Sequence, residues 1–171
     1  MLSGSSTLSD GLVLRPSNAS DKPFIESLFA STREELRLID GERDFVESII
    51  EMQYRAQTEG YGSQFPNAMY FVVEKLGERI GRITIDFTGD VVHIVDIAFI
   101  PAARGRGYGT SLLGGIQQSA AQIRAPVLLS VLRSNLSARN LYLKMGFGPY
   151  DATDMYERLI WYPTPQVVVP G

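Results

Sequence analysis

The chain has no cysteine and one histidine among its 171 residues. Without thiols it can form neither a disulfide bond nor a thiolate metal site, and it has no cysteine nucleophile. A histidine-rich metal site is excluded too, so we expect no metal. No apolar run approaches the ~20 residues that span a bilayer, so no membrane partner is expected. The first eleven residues lack the basic start of a signal peptide. A cytoplasmic location is therefore the default expectation.

Acidic side chains are missing from one long stretch of the sequence. Residues 97–150 contain six basic side chains and no aspartate or glutamate, although the whole chain has 19 acidic residues and a net charge of −3. Positive charge gathered on one part of an acidic protein indicates an anionic ligand. Nucleic acid is not the expected partner, because the stretch lacks the interleaved aromatic residues of a stacking platform.

Hydrophobic periodicity and turn residues predict one α/β domain over residues 12–162. A flexible lead (1–11) and a proline-rich tail (163–171) flank it. The apolar strand at 91–100 is expected to be central and covered on both faces. The other predicted elements are a strand at 12–15, a helix capped by Ser20, a helix after Gly41, a loop at 59–67, antiparallel strands at 69–75 and 80–87, a helix at 107–123, a strand at 127–132, a helix at 136–145, and strands at 147–150 and 155–161.

A glycine-rich turn, Arg-Gly-Arg-Gly-Tyr-Gly-Thr at 104–110, joins the predicted central strand to a predicted helix. Glycines let backbone N–H groups converge on one point, and the first N–H groups of a helix attract anions. The turn is not a P-loop, since no Gly-Lys-Ser/Thr follows, and its alternating glycines break the dinucleotide-binding pattern. It is predicted to hold phosphate groups.

Two motifs in this region resemble those of the GNAT superfamily of N-acetyltransferases. R-x-x-G-x-G at 104–109 resembles the family's pyrophosphate-binding motif, and N-x-x-A-x-x-x-Y-x-x-x-G-F at 135–147 resembles its second signature. The resemblance implies a mixed α/β sheet flanked by helices. It also implies an acetyl-CoA-dependent acyltransferase that acts on a primary amine of a small molecule or peptide, as a monomer or homodimer. A module that binds coenzyme A or acyl-CoA without turnover is the alternative on the same fold.

The resemblance also implies which residues hold acetyl-CoA. The pantetheine would hydrogen-bond to the central strand like an added strand, and the pyrophosphate would sit on the amides of the turn. The next helix would contact the rest of the pantetheine. The residues implied are Ile97, Ala98, Phe99, Ile100, Arg104, Gly105, Arg106, Gly107, Tyr108, Gly109, Thr110, Asn135, Ala138, Asn140 and Tyr142.

Tyr142 is, by resemblance, the general acid that protonates the thiolate of coenzyme A. Its spacing from Asn135 and Ala138 puts all three on one helix face. The alternative for Tyr142 is an aromatic core residue whose hydroxyl reaches the surface. Asn135 has an alternative as well, because asparagine commonly caps the N-terminus of a helix.

The general base and the acceptor pocket are less defined. Asp96, His93, Glu34 and Glu35 are candidate bases, and a water relay would need none of them. His93 and Asp96 face opposite sides of a regular strand unless a bulge lies between them. Asp96 has a structural alternative as an anchor for neighbouring backbone, and His93 has one as a core histidine.

Glu34, Glu35, Tyr54 and His93 are the predicted residues of the acceptor pocket. Residues 21–60 carry ten acidic and five basic side chains. Such an acidic segment suits a cationic amine, and a solvated helix face explains it equally well.

Overall fold

The computed structural model describes residues 6–33 and 43–164. They form one mixed eight-stranded sheet in the order β1-β2-β3-β4-β5-β6-β8-β7. The strands are β1 (Ser6–Thr7), β2 (Leu12–Pro16), β3 (Met69–Lys75), β4 (Glu78–Thr88), β5 (Val91–Phe99), β6 (Val127–Leu132), β7 (Gly148–Ala152) and β8 (Tyr156–Trp161). The helices are α1 (Lys22–Ser31), α2 (Arg43–Gln64), α3 (Tyr108–Gln122) and α4 (Leu136–Lys144). The predicted mixed α/β fold is confirmed.

Strands β3, β4 and β5 form the antiparallel meander that the turn residues predict. Two-residue turns connect them, and both residues of each turn have positive φ: Leu76 (51°) with Gly77 (82°), and Gly89 (61°) with Asp90 (58°). Turns of this kind match the right-handed twist of the paired strands. The short separators in the sequence therefore set the register of the central strands.

The sheet opens between its two central strands. β5 pairs with β6 in parallel only from Val92 to Ile94, and then continues to Phe99. The expectation that β5 is central is confirmed, but it is not covered on both faces. Only Val92 and Ile94 are buried, and the rest of the strand is half-buried. The uncovered part of β5 lies where β5 and β6 diverge.

The main core fills the face of the sheet that carries α3 and α4. Ile83, Ile85 and Ile94 project from the central strands into the same cluster as Leu112 and Leu113 of α3. The apolar positions of α3 recur at helical spacing, as the sequence predicts, and bury one face of the helix. A smaller cluster on the other face joins α1 and α2 through Phe29 and Ile50.

Helix α2 is longer than the sequence predicts. Residues 59–64 are helical, so the predicted loop at 59–67 begins only at Phe65. The two glycines in this stretch, Gly60 and Gly62, have nothing within 4 Å of where a Cβ would lie. They therefore weaken an exposed helix end without breaking it. The helix stops because the ring of Pro66 disfavours a helical conformation at Phe65.

The predicted flexible lead is part of the fold from Ser6 onward. Ser6–Thr7 pairs with β2, and Leu8 packs against the main core. A Cβ at Gly115 would lie 2.7 Å from Cδ2 of Leu8, so glycine there leaves room for this contact. A pattern rich in serine and glycine did not reveal that one leucine anchors the segment.

Ser20 does not cap α1 as predicted: Asn18 caps a short 3-10 turn, Ala19–Asp21, and α1 follows that turn directly. Asn18 accepts a hydrogen bond from the amide of Ser20, and Asp21 accepts one from the amide of Asn18. Asp21 is fully buried and forms ion pairs with Arg15 (2.7 Å) and Arg79 (2.8 Å). These contacts hold its pKa well below the ordinary value of 3.8, mainly through the hydrogen bonds from Arg15.

None of the helices among the described residues has both the length and the apolar character needed to cross a membrane.

Candidate active site

A cleft of about 430 Å³ occupies the gap where β5 leaves β6. Four separate parts of the chain contribute to its walls: the end of α1, the end of β5, the turn before α3 together with α3 itself, and α4. The lining residues are Thr32, Ile97, Ala98, Phe99, Arg104, Gly109, Leu113, Asn135, Leu141 and Tyr142. The structure thus brings together residues from all three segments that the sequence singles out.

The end of β5 offers its backbone to the cleft. Ile97, Ala98 and Phe99 line it on the side where β5 has left β6, while the other edge of β5 stays paired with β4 through Phe99. Ile100 differs, because its amide donates to the carbonyl of Ile80 and the residue does not line the cleft. An extended ligand can therefore reach the strand over residues 97–99.

The turn before α3 depends on glycine at two positions. Gly105 and Gly107 have φ of 73° and 82°, in the left-handed region that favours glycine. Gly107 is the N-cap of α3, whose first backbone bond runs from the amide of Ser111 to the carbonyl of Gly107. The N–H groups of the first turn therefore have no partner within the helix, and they suit an anion.

The arginines of the turn brace its backbone. Arg104 donates from Nε to the carbonyl of Phe99 (3.0 Å), and Arg106 donates from Nε to the carbonyl of Ala102 (2.9 Å). Both side chains are exposed, so their charge is available to a ligand. Tyr108 packs under the ammonium of Lys75, with Nζ 4.6 Å from the ring centroid, and Thr110 is exposed beside the cleft.

Helix α4 contributes Asn135 and Tyr142 to the cleft wall. Asn135 caps the helix, because its Oδ1 accepts the amide of Ala138 at 3.2 Å, and it also lines the cleft. The capping alternative and the cleft position therefore coexist. Ala138 is half-buried against the core. Asn140 is exposed and does not line the cleft, since it lies two residues from each of Ala138 and Tyr142 and so on another helix face.

Tyr142 is 7% exposed and faces both the core and the cleft. Its ring packs against Phe147, with the centroids 6.0 Å apart. Burial raises the pKa of its phenol to about 12, and the negative charge of Asp96 adds to the rise. The phenol is therefore protonated at neutral pH and is a potential proton donor inside the cleft.

A bulge in β5 changes which side chains share a face. Thr84 pairs with Asp96 and Ile85 pairs with Ile94, so Val95 is the extra residue. His93 and Asp96 consequently lie on the same face, the one that carries α1 and α2. On a regular strand they would face opposite sides.

Asp96 is engaged by an arginine. Its Oδ2 lies 2.7 Å from Nε of Arg82, and Nη2 of Arg82 donates to Oε1 of Gln57 at 3.2 Å. Asp96 and Arg82 have 17% and 14% of their side chains exposed. The alternative that Asp96 anchors neighbouring backbone is not what the structure shows, because its partner is the Arg82 side chain.

His93 sits in a structural contact. Its ring meets Phe65 edge-on, with the centroids 4.9 Å apart. Burial lowers the pKa of His93, and the negative charge of Asp86, its cross-strand neighbour, partly opposes this. Asp86 is itself buried and accepts a hydrogen bond from Thr88 at 2.5 Å. His93 does not line the cleft.

A second cavity of about 170 Å³ lies between the sheet and helices α1 and α2. Tyr54 lines it, as the predicted acceptor pocket requires, but His93 does not, and Glu34 and Glu35 lie outside the described residues. The lining residues are Ser17, Ile25, Tyr54, Gln57, Thr58, Tyr70, Phe71, Arg82 and Thr84. Sequence reasoning missed Arg82, whose signal was an arginine inside the otherwise apolar run Ile-Gly-Arg-Ile-Thr-Ile at 80–85.

Comparison with known proteins identifies the family to which this chain belongs. The chain matches the model of the Acetyltransferase (GNAT) family over residues 27–147. It therefore belongs to the GNAT family of acetyltransferases. An uncharacterized N-acetyltransferase from Methanocaldococcus jannaschii is 33% identical over 90 residues, which cover 52% of this chain and 57% of the relative. The chain thus matches little more than half the length of that relative.

Solved structures share the fold at low sequence identity. The PaiA N-acetyltransferase from Thermoplasma acidophilum, in complex with coenzyme A, is 15% identical with a TM-score of 0.67, covering 88% of this chain and 98% of that one. A chimera built on the spermidine N-acetyltransferase of Vibrio cholerae is 18% identical with a TM-score of 0.62, covering 88% of this chain and 95% of the other.

Family membership assigns coenzyme A, carried as acetyl-CoA, as the cofactor. The residues present fit such a group: an accessible strand edge, a glycine turn at a helix N-terminus, and exposed arginines beside it. Within residues 6–33 and 43–164, no cluster of three or more histidine, aspartate or glutamate side chains could hold a metal ion.

Proposed function

We propose that this protein transfers an acetyl group from acetyl-CoA to a primary amine of a small molecule or peptide. The observation that carries the proposal is that one cleft is lined jointly by the end of β5, the turn before α3, and Tyr142 of α4. A binding turn and a buried proton donor on the walls of one cleft are what a transfer reaction from an anionic carrier requires.

Each wall has its own role in this proposal. The N–H groups at the start of α3 and the guanidinium groups of Arg104 and Arg106 hold the pyrophosphate, since a helix N-terminus and arginine both favour anions. Ile97, Ala98 and Phe99 hold the pantetheine arm along the strand edge. Asn135 is placed to hydrogen-bond the same arm from α4.

Acetyl-CoA supplies the acetyl group as a thioester, so transfer forms a bond from the amine nitrogen to the carbonyl carbon and breaks the carbon–sulfur bond. Tyr142 donates its phenolic proton to the departing sulfur. Because burial raises the pKa of this phenol to about 12, Tyr142 remains protonated across the neutral range. The proton lost by the amine passes to solvent and restores the phenol.

Asp96 is the proposed general base. Asp96 lies one residue before the part of β5 that lines the cleft, and its charge acts on Tyr142. It is the carboxylate best placed among the described residues to attract an incoming ammonium group. His93 has no comparable position, because its ring packs against Phe65.

A module that binds acetyl-CoA without turnover is the second candidate. One observation favours it: no aspartate, glutamate or histidine is among the described residues that line the cleft. The two candidates differ in the step after binding. The enzyme releases free thiol when an amine is added, and the module does not.

Titration calorimetry with acetyl-CoA and with coenzyme A is the first test, followed by a thiol-release screen over amines. Binding of both, with thiol release that depends on the amine, is expected. Binding without release over a broad screen would leave the non-catalytic module. If neither acetyl-CoA nor coenzyme A binds, the transferase proposal fails.

A further inference from the structure

The second cavity and the cleft lie on either side of one pair of residues on neighbouring strands. Arg82 on β4 lies directly opposite Ala98 on β5, and Ala98 lines the cleft while Arg82 lines the second cavity. Residues opposite each other on paired strands have Cβ atoms about 5 Å apart. A small molecule in the second cavity therefore lies within reach of the cleft.

The charges around the second cavity do not favour a polyamine. Arg82 is the single charged side chain among the described residues that line it, and the others supply hydroxyl groups, one amide and apolar surface. A cation without a carboxylate would find no negative side chain among the described lining residues, and the Asp96 carboxylate nearby is shared with Arg82. The acidic segment at 21–60 therefore does not make this cavity acidic.

Arg82 and Asp96 present opposite charges side by side. Nε of Arg82 and Oδ2 of Asp96 are 2.7 Å apart, yet both atoms are buried and the pair lacks the alignment of a hydrogen bond. Buried polar atoms are nearly always hydrogen-bonded in folded proteins. An imperfectly aligned pair beside a cavity is the arrangement expected where a ligand completes the hydrogen bonding.

The complement of such a pair is a molecule that carries a cation and an anion at similar spacing. We infer that the acceptor is a free α-amino acid with an uncharged, medium-sized side chain. Its carboxylate binds the Arg82 guanidinium, which suits carboxylates through paired N–H donors. Its amino group lies at Asp96, beside the cleft. The rings of Tyr54 and Tyr70 and the side chain of Ile25 surround its apolar part.

The size of the cavity supports a small acceptor. About 170 Å³ is well below the volume of pockets that hold drug-sized ligands, roughly 300–1,000 Å³. The inference rests on the proposed function and names the substrate class of the same site. The chemistry is unchanged: the ammonium nitrogen loses two protons, to Asp96 or water, gains the acetyl group and keeps one proton as an amide, while the carboxylate takes no part in bond making.

Three amines test this inference with the unmodified protein: L-leucine, L-leucinamide and 3-methylbutylamine. They share the amino group and the side chain, and only leucine has a carboxylate. Leucinamide has the least basic amino group of the three, so reactivity alone would favour it. We expect kcat/KM for leucine to exceed both others by about tenfold or more, the effect of a hydrogen bond to a charged group.

Arg82→Gln is expected to reduce the ratio of leucine to leucinamide to about one, because a neutral amide no longer selects for charge. Arg82→Lys keeps a positive charge beside Asp96, so it controls for misfolding caused by an unpaired Asp96. It should retain part of the preference for leucine. Arg55→Gln is the matched control on α2, where Arg55 is 70% exposed and pairs with Glu51. The control should leave the ratio unchanged.

Failure of this inference is distinguishable from failure of the proposed function. If leucinamide or 3-methylbutylamine is acetylated as well as leucine, the transferase stands and the amino acid acceptor is refuted. A preference for spermidine over leucine refutes it in favour of a cationic acceptor. A ratio that survives Arg82→Gln removes Arg82 as the carboxylate ligand. If no amine in the series or in a wider screen releases thiol, the proposed function itself fails.

Discussion

The two cavities of this protein are built differently. Backbone shapes the cleft between β5 and β6: a strand edge, two glycines with positive φ and a helix N-terminus. The neighbouring cavity is shaped by side chains that converge from α1, α2, β3 and β4. A family can keep the first and vary the second, so the cofactor follows from a motif while the acceptor depends on the whole fold.

The largest expected effect tests the chemistry of the first cavity. Tyr142→Phe keeps the ring that packs against Phe147 and removes only the hydroxyl. We expect the rate of thiol release to fall by about 100-fold or more, the usual contribution of a general acid. Calorimetric affinity for acetyl-CoA should stay within about twofold, because a general acid acts on the proton-transfer step and not on binding. Tyr150→Phe, at an exposed residue, is the control. Unchanged turnover in Tyr142→Phe would remove this residue as the acid.

The raised pKa of Tyr142 allows a second test of the same side chain. Burial and the charge of Asp96 move it from the ordinary value of 10.0 to about 12. The ultraviolet titration of the unmodified protein minus that of Tyr142→Phe should therefore show a phenolate only near pH 12. Because the folded pKa is above the unfolded one, this group favours folding below pH 10 and loses that contribution as the pH rises toward 12. A difference signal already present at pH 10 would mean that the phenol is solvated.

The turn before α3 is tested by a pair of glycines with the same conformation. Gly107 and Gly77 both have φ of 82°, and neither has atoms within 4 Å of where a Cβ would lie. Valine at either position costs about 1–2 kcal/mol of backbone strain. Only Gly107→Val distorts the turn proposed to bind the pyrophosphate, so it should weaken acetyl-CoA binding by about tenfold, while Gly77→Val should not. Equal losses of affinity in the two variants would mean that general destabilisation, rather than the turn, is responsible.

The difference between a site built by backbone and one built by side chains also explains which features could be predicted from the sequence. The boundaries of β3 and β6 and the N-cap of α4 followed from local signals: hydrophobic periodicity, turn residues, and an asparagine at the start of a helix. The β5 bulge at Val95 did not, because it depends on the register with β4. That one residue places His93 and Asp96 on the same face of the sheet. The residues of the acceptor side could therefore not be grouped from the alternation of side chains along a regular strand.

Contacts between side chains of different elements could not be predicted from the sequence either. Arg82 pairs with Asp96 on the next strand and with Gln57 on α2, which is 25 residues away in the chain. Leu8 docks beside Gly115 of α3 from a segment that composition marks as flexible. Such contacts produce no periodic pattern in the sequence, so only the folded chain reveals them.

The smallest expected effect decides whether the two cavities function separately. Gln57→Ala removes the amide that accepts a hydrogen bond from Nη2 of Arg82, and so loosens the guanidinium without removing its charge. The donor of this bond is charged, but its loss only loosens Arg82, so KM for the amine acceptor should rise by about threefold to tenfold. The affinity for acetyl-CoA should not change, since Gln57 does not line the cleft. Gln53→Ala, one helical turn earlier on α2, is the control. If Gln57→Ala weakens acetyl-CoA binding as much as it raises KM for the amine, the two cavities are one site, and the division between a backbone-built cofactor cleft and a side-chain-built acceptor pocket is wrong.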